Sequence, residues 1–150
     1  MIAGSAYLTG TTRTYSSEAH DAMPELIRRT AENTAAALGC TAELTDYTIA
    51  NYKVDNEPVA SERCRAAVVK LLGEEGVGRY RGTMSGEDFS EYLHEVPGML
   101  AFLGCRNPQI GAVHPQHSCF YTVDESVLIK GSMLSAQYAI DFLSEGTGGE

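Results

Sequence analysis

The sequence predicts an α/β protein, and three observations carry that prediction. Residues 5–15 are rich in Thr and Tyr and sort onto two faces at a period of two. Three longer segments place apolar residues at helical spacing. Residues 99–103, Met-Leu-Ala-Phe-Leu, are apolar without alternation, the pattern of a strand covered on both faces by helices. The 150 residues are 43% hydrophobic and 21% charged, near the average for globular chains. That length suits one ordinary domain or two small ones.

Taken in order, the first strand is expected over 5–15, with Tyr7, Thr9, Thr11, Arg13 and Tyr15 on one face. Ser16 or Ser17 is positioned to cap a helix whose stripe is Ala19, Met23, Leu26, Ile27, Ala31, Ala35 and Leu38. Gly39 stands where a glycine ends a helix, and Pro24 predicts a kink or a split. A second, less regular strand is expected over 41–50. Asn56 is a candidate cap for a second helix with Pro58 in its first turn and Gly73 at its end. The stripe there is Ala60, Cys64, Ala67, Val68, Leu71 and Leu72. Residues 76–82 read as a loop with a short possible strand. Ser85-Gly86-Glu87-Asp88 fits a capping box for a short helix reaching about His94. The apolar strand 99–103 follows Pro97-Gly98. Residues 106–118, with Pro108, Gly111 and Pro115, read as a long irregular loop. Thr122 or Asp124 caps a last helix with an inner stripe of Ile129, Met133, Ala136, Ile140 and Leu143, widened by Leu134 and Tyr138. The Gly-rich acidic end, 145–150, is expected to fray. The first third resembles an antiparallel α+β layer and the remainder part of an α/β sheet, with a change of character near 52–57.

Twenty acidic against eleven basic residues give a net charge of −9, and no basic stripe offsets it. Such a surface repels nucleic acid. No apolar run approaches the roughly 18 residues that cross a bilayer, so no membrane partner is expected. The first residues have neither a basic region nor a long apolar core, so no secretory signal is expected. Cys40, Cys64, Cys105 and Cys119 are scattered and read as free thiols in a reducing compartment, which implies a cytoplasmic protein.

His114 and His117 share one loop beside Ser118 and Cys119. They are either metal ligands or acid–base groups, or simply exposed loop residues. Neither Ser118 nor Cys119 has a recognisable base and orienting acid nearby. Glu87-Asp88 is either a catalytic carboxylate pair or an ordinary complement to a helix dipole. Arg13, the one charge in a Thr/Tyr strand, is either solvated or a clamp for a ligand carboxylate. His20 reads as a helix-surface residue and His94 as a residue favoured at a helix C-terminus.

Several blocks together resemble one family. Gly10-Thr11-Thr12-Arg13-Thr14-Tyr15 resembles the G-T-x-R-T-[FY] strand of hippurate hydrolases and auxin-conjugate hydrolases, members with the aminoacylases of the M-twenty metallopeptidase family. Val54-Asp55-Asn56-Glu57 resembles its V-x-N-[DE] crossover from lid to catalytic domain. The run from Met84 to Leu93 resembles M-[GS]-[ASG]-E-D-F-S-x-Y-L. Pro97-Gly98 through Gly104 resembles P-G-x-[FL]-x-F-L-G. His117-Ser118-Cys119-Phe120-Tyr121-Thr122-Val123-Asp124-Glu125 resembles H-S-P-x-F-x-[IV]-[DN]-E, with Cys119 in place of Pro. A later family Pro is Ile129 here.

The resemblance implies part of an α+β lid and dimerisation domain over 1–54. It implies the C-terminal part of a catalytic α/β domain over 55–150. It implies a metal-dependent amidohydrolase acting on N-acyl amino acids or small peptides, with a pair of divalent metals, Zn or Mn, in the complete enzyme. A homodimer through the lid follows by the same likeness. Of the family's metal ligands only the last His has a counterpart, His117. The Cys-x-His, the Glu-Glu pair and the other His have none, so the chain alone is expected to be an inactive fragment. Arg13, Asn56, Ser85, Gly86 and Glu87 are the implied substrate contacts. The alternative expectation is a non-catalytic dimerisation or interaction remnant of such an enzyme.

Overall fold

The computed structural model describes residues 3–49 and 51–145, and the expectation of a frayed end falls on residues outside that range apart from Glu145. Among the described residues four α-helices carry the fold: α1 (Ser17–Ala37), α2 (Pro58–Leu72), α3 (Phe89–Glu95) and α4 (Leu128–Glu145). Single 3-10 turns occupy Glu74–Gly76, Pro108–Ile110 and Glu125–Val127. Among the described residues there is no strand ladder, only an isolated antiparallel bridge between Asn107 and Ala112. The strands expected at 5–15, 41–50 and 99–103 therefore run without ladder partners, residue 50 lying outside the described range. A strand is stable only beside another, since its backbone groups need a ladder. The α/β expectation is met here in its helices and not in a sheet. The chain divides into two compact units, Met1–Asp55 with Gly82–Glu95, and Asn56–Arg81 with Val96–Glu150.

In the first unit, α1 starts where the sequence places it. The Ser16 hydroxyl accepts the Ala19 N–H at 3.0 Å. Its end is a Schellman motif: Gly39 N–H reaches the Ala36 carbonyl, Cys40 N–H reaches Ala35, and Gly39 sits at φ +71. The expected split at Pro24 does not occur, and α1 is continuous through it. A proline there forgoes one bond, to the His20 carbonyl, and the helix retains the rest. Ala19, Met23, Ile27, Ala31 and Ala35 form a half-buried row, while Leu26 and Leu38 are exposed. The 5–15 and 41–49 segments meet through the Thr12 and Tyr47 hydroxyls, 2.8 Å apart. Tyr52 stacks on His94 (ring centroids 4.0 Å, planes 1° apart) and lies 5.1 Å from the His20 ring. Ser90 of α3 is 1% exposed and its hydroxyl has no hydrogen-bond partner among the described residues. An unpaired buried hydroxyl costs about 1–3 kcal/mol. Ser90→Ala is therefore expected to raise stability by about 1 kcal/mol, read as an increased denaturant midpoint at unchanged slope. A lowered midpoint would mean that this hydroxyl does have a partner in solution.

In the second unit, α2 and α4 pack together. Arg63 meets Glu145 while Lys70 meets Asp141, so the helices run antiparallel. Arg63 also lies over the Phe142 and Tyr138 rings, 5.0 and 5.8 Å from their centroids. Pairing with Arg63 holds the Glu145 carboxyl below its usual range, and Lys70 does the same for Asp141. The buried residues of α2 are Ala60, Cys64 and Ala67, one small-residue row at i, i+4, i+7. Burial pushes the Cys64 thiol up. The α4 face differs from expectation. Gly131, Leu134, Gln137, Tyr138 and Asp141 are its half-buried positions, whereas Ile129, Met133, Ile140 and Leu143 are exposed. This helix is apolar on two sides, and the α2 pairing engages the side that carries Leu134 and Tyr138.

The cap of α2 is Glu57, not Asn56. The Glu57 carboxylate accepts the Val59 and Ala60 N–H groups at 2.9 and 2.6 Å. The Asn56 side chain instead grips the backbone of Leu100, donating to its carbonyl and accepting from its N–H, both at 2.9 Å. Glu57 N–H adds a bond to the Gly98 carbonyl. The 99–103 segment is thus held by a side chain rather than by neighbouring strands. It is not covered on both faces: Phe102 and Leu103 are exposed.

Candidate functional site

The site residues expected from the sequence fall in both units. Arg13, Ser85, Gly86 and Glu87 belong to the first, Asn56 and His117 to the second.

The His117 loop is more ordered than a long irregular connection. Asn107 and Ala112 exchange both backbone bonds at 2.8 and 3.0 Å, closing a small loop over the Pro108–Ile110 turn. Gly111 closes it at φ +77. The Asn107 side-chain Oδ1 accepts the Gln109 N–H, and its Nδ2 donates to Asp124 at 2.7 Å. Asp124 also caps the Glu125–Val127 turn by accepting Ser126 N–H, as its expected capping role requires. Two tight turns follow, with Ser118 N–H on Pro115 and Tyr121 N–H on Ser118.

His117 is the third residue of the first turn and has φ +66. A positive φ there is what a type II turn demands and normally selects glycine or asparagine. A histidine in that region carries strain of about 1–3 kcal/mol, a cost that persists mainly where function uses it. Its side chain is exposed and without a polar partner among the described residues. The His114 ring lies 5.5 Å from that of Phe120, tilted by 43°. The two histidines, inseparable by sequence proximity, are therefore distinct in surroundings.

Hydrogen bonds from Ser126 and Asn107 hold the Asp124 carboxyl below its usual range, and the Val59 and Ala60 amides do the same for Glu57. A depressed folded-state value means that the stabilisation is fully present above the ordinary range, about pH 4, and fades as pH falls through the lowered values. The melting temperature is expected to drop as pH is lowered from about 5 to about 3. Asp124→Asn is expected to flatten part of that slope in a thermal-melt series. An unchanged slope would separate Asp124 from it.

In the first unit, Ser85 bonds to Thr83 through their hydroxyls at 2.8 Å, and it does not cap α3. That role falls to Glu87, whose carboxylate accepts the Phe89 N–H at 3.1 Å, so α3 begins later than a Ser85 cap would place it. Arg13 donates to the Thr12 carbonyl at 2.9 Å and has no ion-pair partner among the described residues. A Cβ on Gly86 would lie 3.3 Å from Asn51 Nδ2 and 3.9 Å from Arg13 Nη2. Asn51 is itself left-handed, at φ +60, with its N–H on Glu91 Oε1 at 2.9 Å. Sequence reading missed Asn51; the tolerance of asparagine for that conformation is the only local signal.

No group of three or more His, Cys, Asp or Glu side chains that could hold a metal ion occurs among the described residues. The described residues do not by themselves fit a metal centre, and His117, the donor expected from the sequence, is part of no such group. Among the described residues no helix is long and apolar enough to cross a membrane.

No family model matches the chain. No solved structure matches it. Curated proteins do. Thermostable carboxypeptidase 2 of Saccharolobus solfataricus is 31% identical over 95% of this chain and 35% of its own length. N-acetylcysteine deacetylase of Bacillus subtilis is 30% identical over 93% of the chain and 35% of its length. IAA-amino acid hydrolase ILR1-like 6 of Arabidopsis thaliana is 26% identical over 92% of the chain and 30% of its length. The chain spans about a third of the length of these relatives. Their names are those of hydrolases and peptidases, and along nearly its whole length the chain is a homologue of the M-twenty family of amidohydrolases.

Proposed function

We propose that this chain is the C-terminal part of a metal-dependent amidohydrolase that cleaves the amide bond of N-acyl amino acids or small peptides. The observation that carries the reading is His117, an exposed imidazole held at φ +66 in a braced turn, in a chain 31% identical to a carboxypeptidase over 95% of its length. In this reading His117 donates to a metal centre, Zn or Mn, whose other ligands lie outside the described residues. The ring contact of His114 with Phe120 favours His117 as the donor. Arg13, Asn56, Ser85, Gly86 and Glu87 serve the substrate side. Asn56 acts through Leu100, and Glu87 through the start of α3. Residues 1–54 are part of a lid that makes a homodimer, and 55–150 part of an α/β catalytic domain in which the 99–103 segment is a sheet strand. The four cysteines, free in the structure, suit a cytoplasmic setting.

A second reading is a non-catalytic interaction remnant, and the observation beside it is that no group of three or more His, Cys, Asp or Glu side chains that could hold a metal ion occurs among the described residues. The test is turnover of N-acetylglycine and hippurate by the 150-residue chain with added Mn²⁺ or Zn²⁺. None is expected. Joining the chain to the remaining part of a relative is expected to restore both metal binding and turnover. A joined protein that binds metal but never turns over would favour the remnant.

A further inference from the structure

We propose that Asn107 is the positioning residue of His117, a role that rests on the amidohydrolase reading for what the imidazole does there. His117 lies in a loop whose two ends are Ala112 and Asp124, and Asn107 holds both. Its backbone exchanges two bonds with Ala112, which is 2% exposed, and its side-chain Nδ2 reaches Asp124 at 2.7 Å. The Asp124 N–H closes the same junction from the other side, on the Cys105 carbonyl at 3.0 Å. Between these ends the bonds are local: Ser118 N–H on Pro115, Tyr121 N–H and Phe120 N–H on Ser118. Among the described residues, 114–123 make one hydrogen-bonding contact beyond the loop, the Tyr121 hydroxyl 4.0 Å from Cys105 Sγ. The left-handed backbone of His117, at φ +66, is a conformation that persists only where its surroundings impose it. The closed base of the loop supplies that restraint.

One amide and one carboxylate serve three bonds at this base. Asn107 Oδ1 accepts the Gln109 N–H, Asn107 Nδ2 donates to Asp124 Oδ2, and Asp124 Oδ1 accepts the Ser126 N–H. The outer two bonds cap single turns, and aspartate or asparagine can make either. The middle bond joins the two ends of the loop and needs one donor and one acceptor. Asn107→Asp keeps the turn at 108–110 capped but sets two acceptor-only groups against each other. Asp124→Asn keeps the turn at 125–127 capped but offers one oxygen to two donors. Exchanging both residues restores all three bonds with the middle one reversed: the carboxylate at 107 accepts from Gln109 and from the amide at 124, whose oxygen still accepts from Ser126.

The experiment compares Asn107→Asp, Asp124→Asn and the double exchange in the 150-residue chain at neutral pH. The readout is the left-handed conformation of His117, from its Cα and Cβ chemical shifts and its HN–Hα coupling, with the Ala67 amide as a monitor of the packed helices. Asn107→Asp is expected to lose the left-handed signature while Ala67 stays in place, Asp124→Asn to lose part of it, and the double exchange to regain it. A signature unchanged in Asn107→Asp overturns the proposal, since a residue that only caps a turn tolerates that change. A signature lost in the single variants and not regained in the double exchange also overturns it. In the protein joined to the remaining part of a relative, Asn107→Asp is expected to weaken metal binding about tenfold and the double exchange to recover it. Metal affinity unmoved by Asn107→Asp overturns the positioning role. A joined protein that binds no metal, while the exchange still governs the His117 backbone, leaves Asn107 as the residue that shapes the loop and removes the amidohydrolase reading instead.

Discussion

In a protein completed with the remaining part of a relative, His117→Ala is expected to lower turnover on the order of a thousandfold and to reduce bound metal. His114→Ala should stay within about threefold. The size follows from the several kcal/mol that a metal centre contributes to a transition state, each 1.4 kcal/mol being tenfold in rate. His114 rests against Phe120, so its loss removes a ring contact rather than a donor. A companion variant separates function from fold. His117→Gly relieves the φ +66 strain and is expected to gain about 1 kcal/mol of stability while losing turnover as His117→Ala does. The readouts are metal content, turnover and denaturant midpoint on the three variants. If His114→Ala sheds metal and His117→Ala keeps it, the ligand has been assigned to the wrong histidine.

The largest stability effect is expected at Ala67, which is 0% exposed on the α2 face that packs within the second unit. Its neighbours on that row, Ala60 and Cys64, are also small and buried. Ala67→Leu would add three carbons where no space exists, at a cost of about 3 kcal/mol, the upper end of ordinary overpacking. Against a total stability of 5–15 kcal/mol typical of domains, that is a large fraction. A chemical-denaturation curve should show a lower midpoint, and the Lys70–Asp141 and Arg63–Glu145 pairs should weaken with it. A midpoint within about 0.5 kcal/mol of the parent would mean that α4 slides away from α2 at little cost.

The helices were legible because their signals are local. Ser16 and Gly39 bracket α1 by side-chain and backbone bonds made within a few residues. Gly73 ends α2, and Asp124 caps the turn that leads into α4, for the same reason. Of the kink or split expected at Pro24, the split is absent: α1 runs through it over 21 residues, which bear the cost of about 3 kcal/mol that an interior proline imposes. The cap of α2 was displaced by one residue because both Asn56 and Glu57 can accept from an N–H. Only the distant Leu100 backbone decides that Asn56 is engaged elsewhere. The face of α4 was misread because Ile129, Met133, Ile140 and Leu143 make as regular a stripe as the side that packs; periodicity identifies a face without naming its partner.

The candidate site divides in the same way. His117 was found from its surrounding block, yet nothing in Gln116-His117-Ser118 announces a left-handed histidine. Arg13 and Gly86 were marked by their motifs, while their common neighbour Asn51 lies 38 residues from one and 35 from the other. No window of local sequence joins them.

The grip of Asn56 on Leu100 has a chemical consequence. The two bonds need one donor and one acceptor on the same short side chain, presented at a fixed spacing. Aspartate has the shape but only acceptors, so it would aim a lone pair at the Leu100 carbonyl. Leucine has the volume but neither group, and glutamine has both groups one methylene too far away. Spontaneous loss of the amide nitrogen, the ordinary ageing reaction of asparagine, would keep the bond from the Leu100 N–H but turn the one to its carbonyl into a repulsion. The hold on residues 99–103 is therefore tied to the chemical age of one side chain.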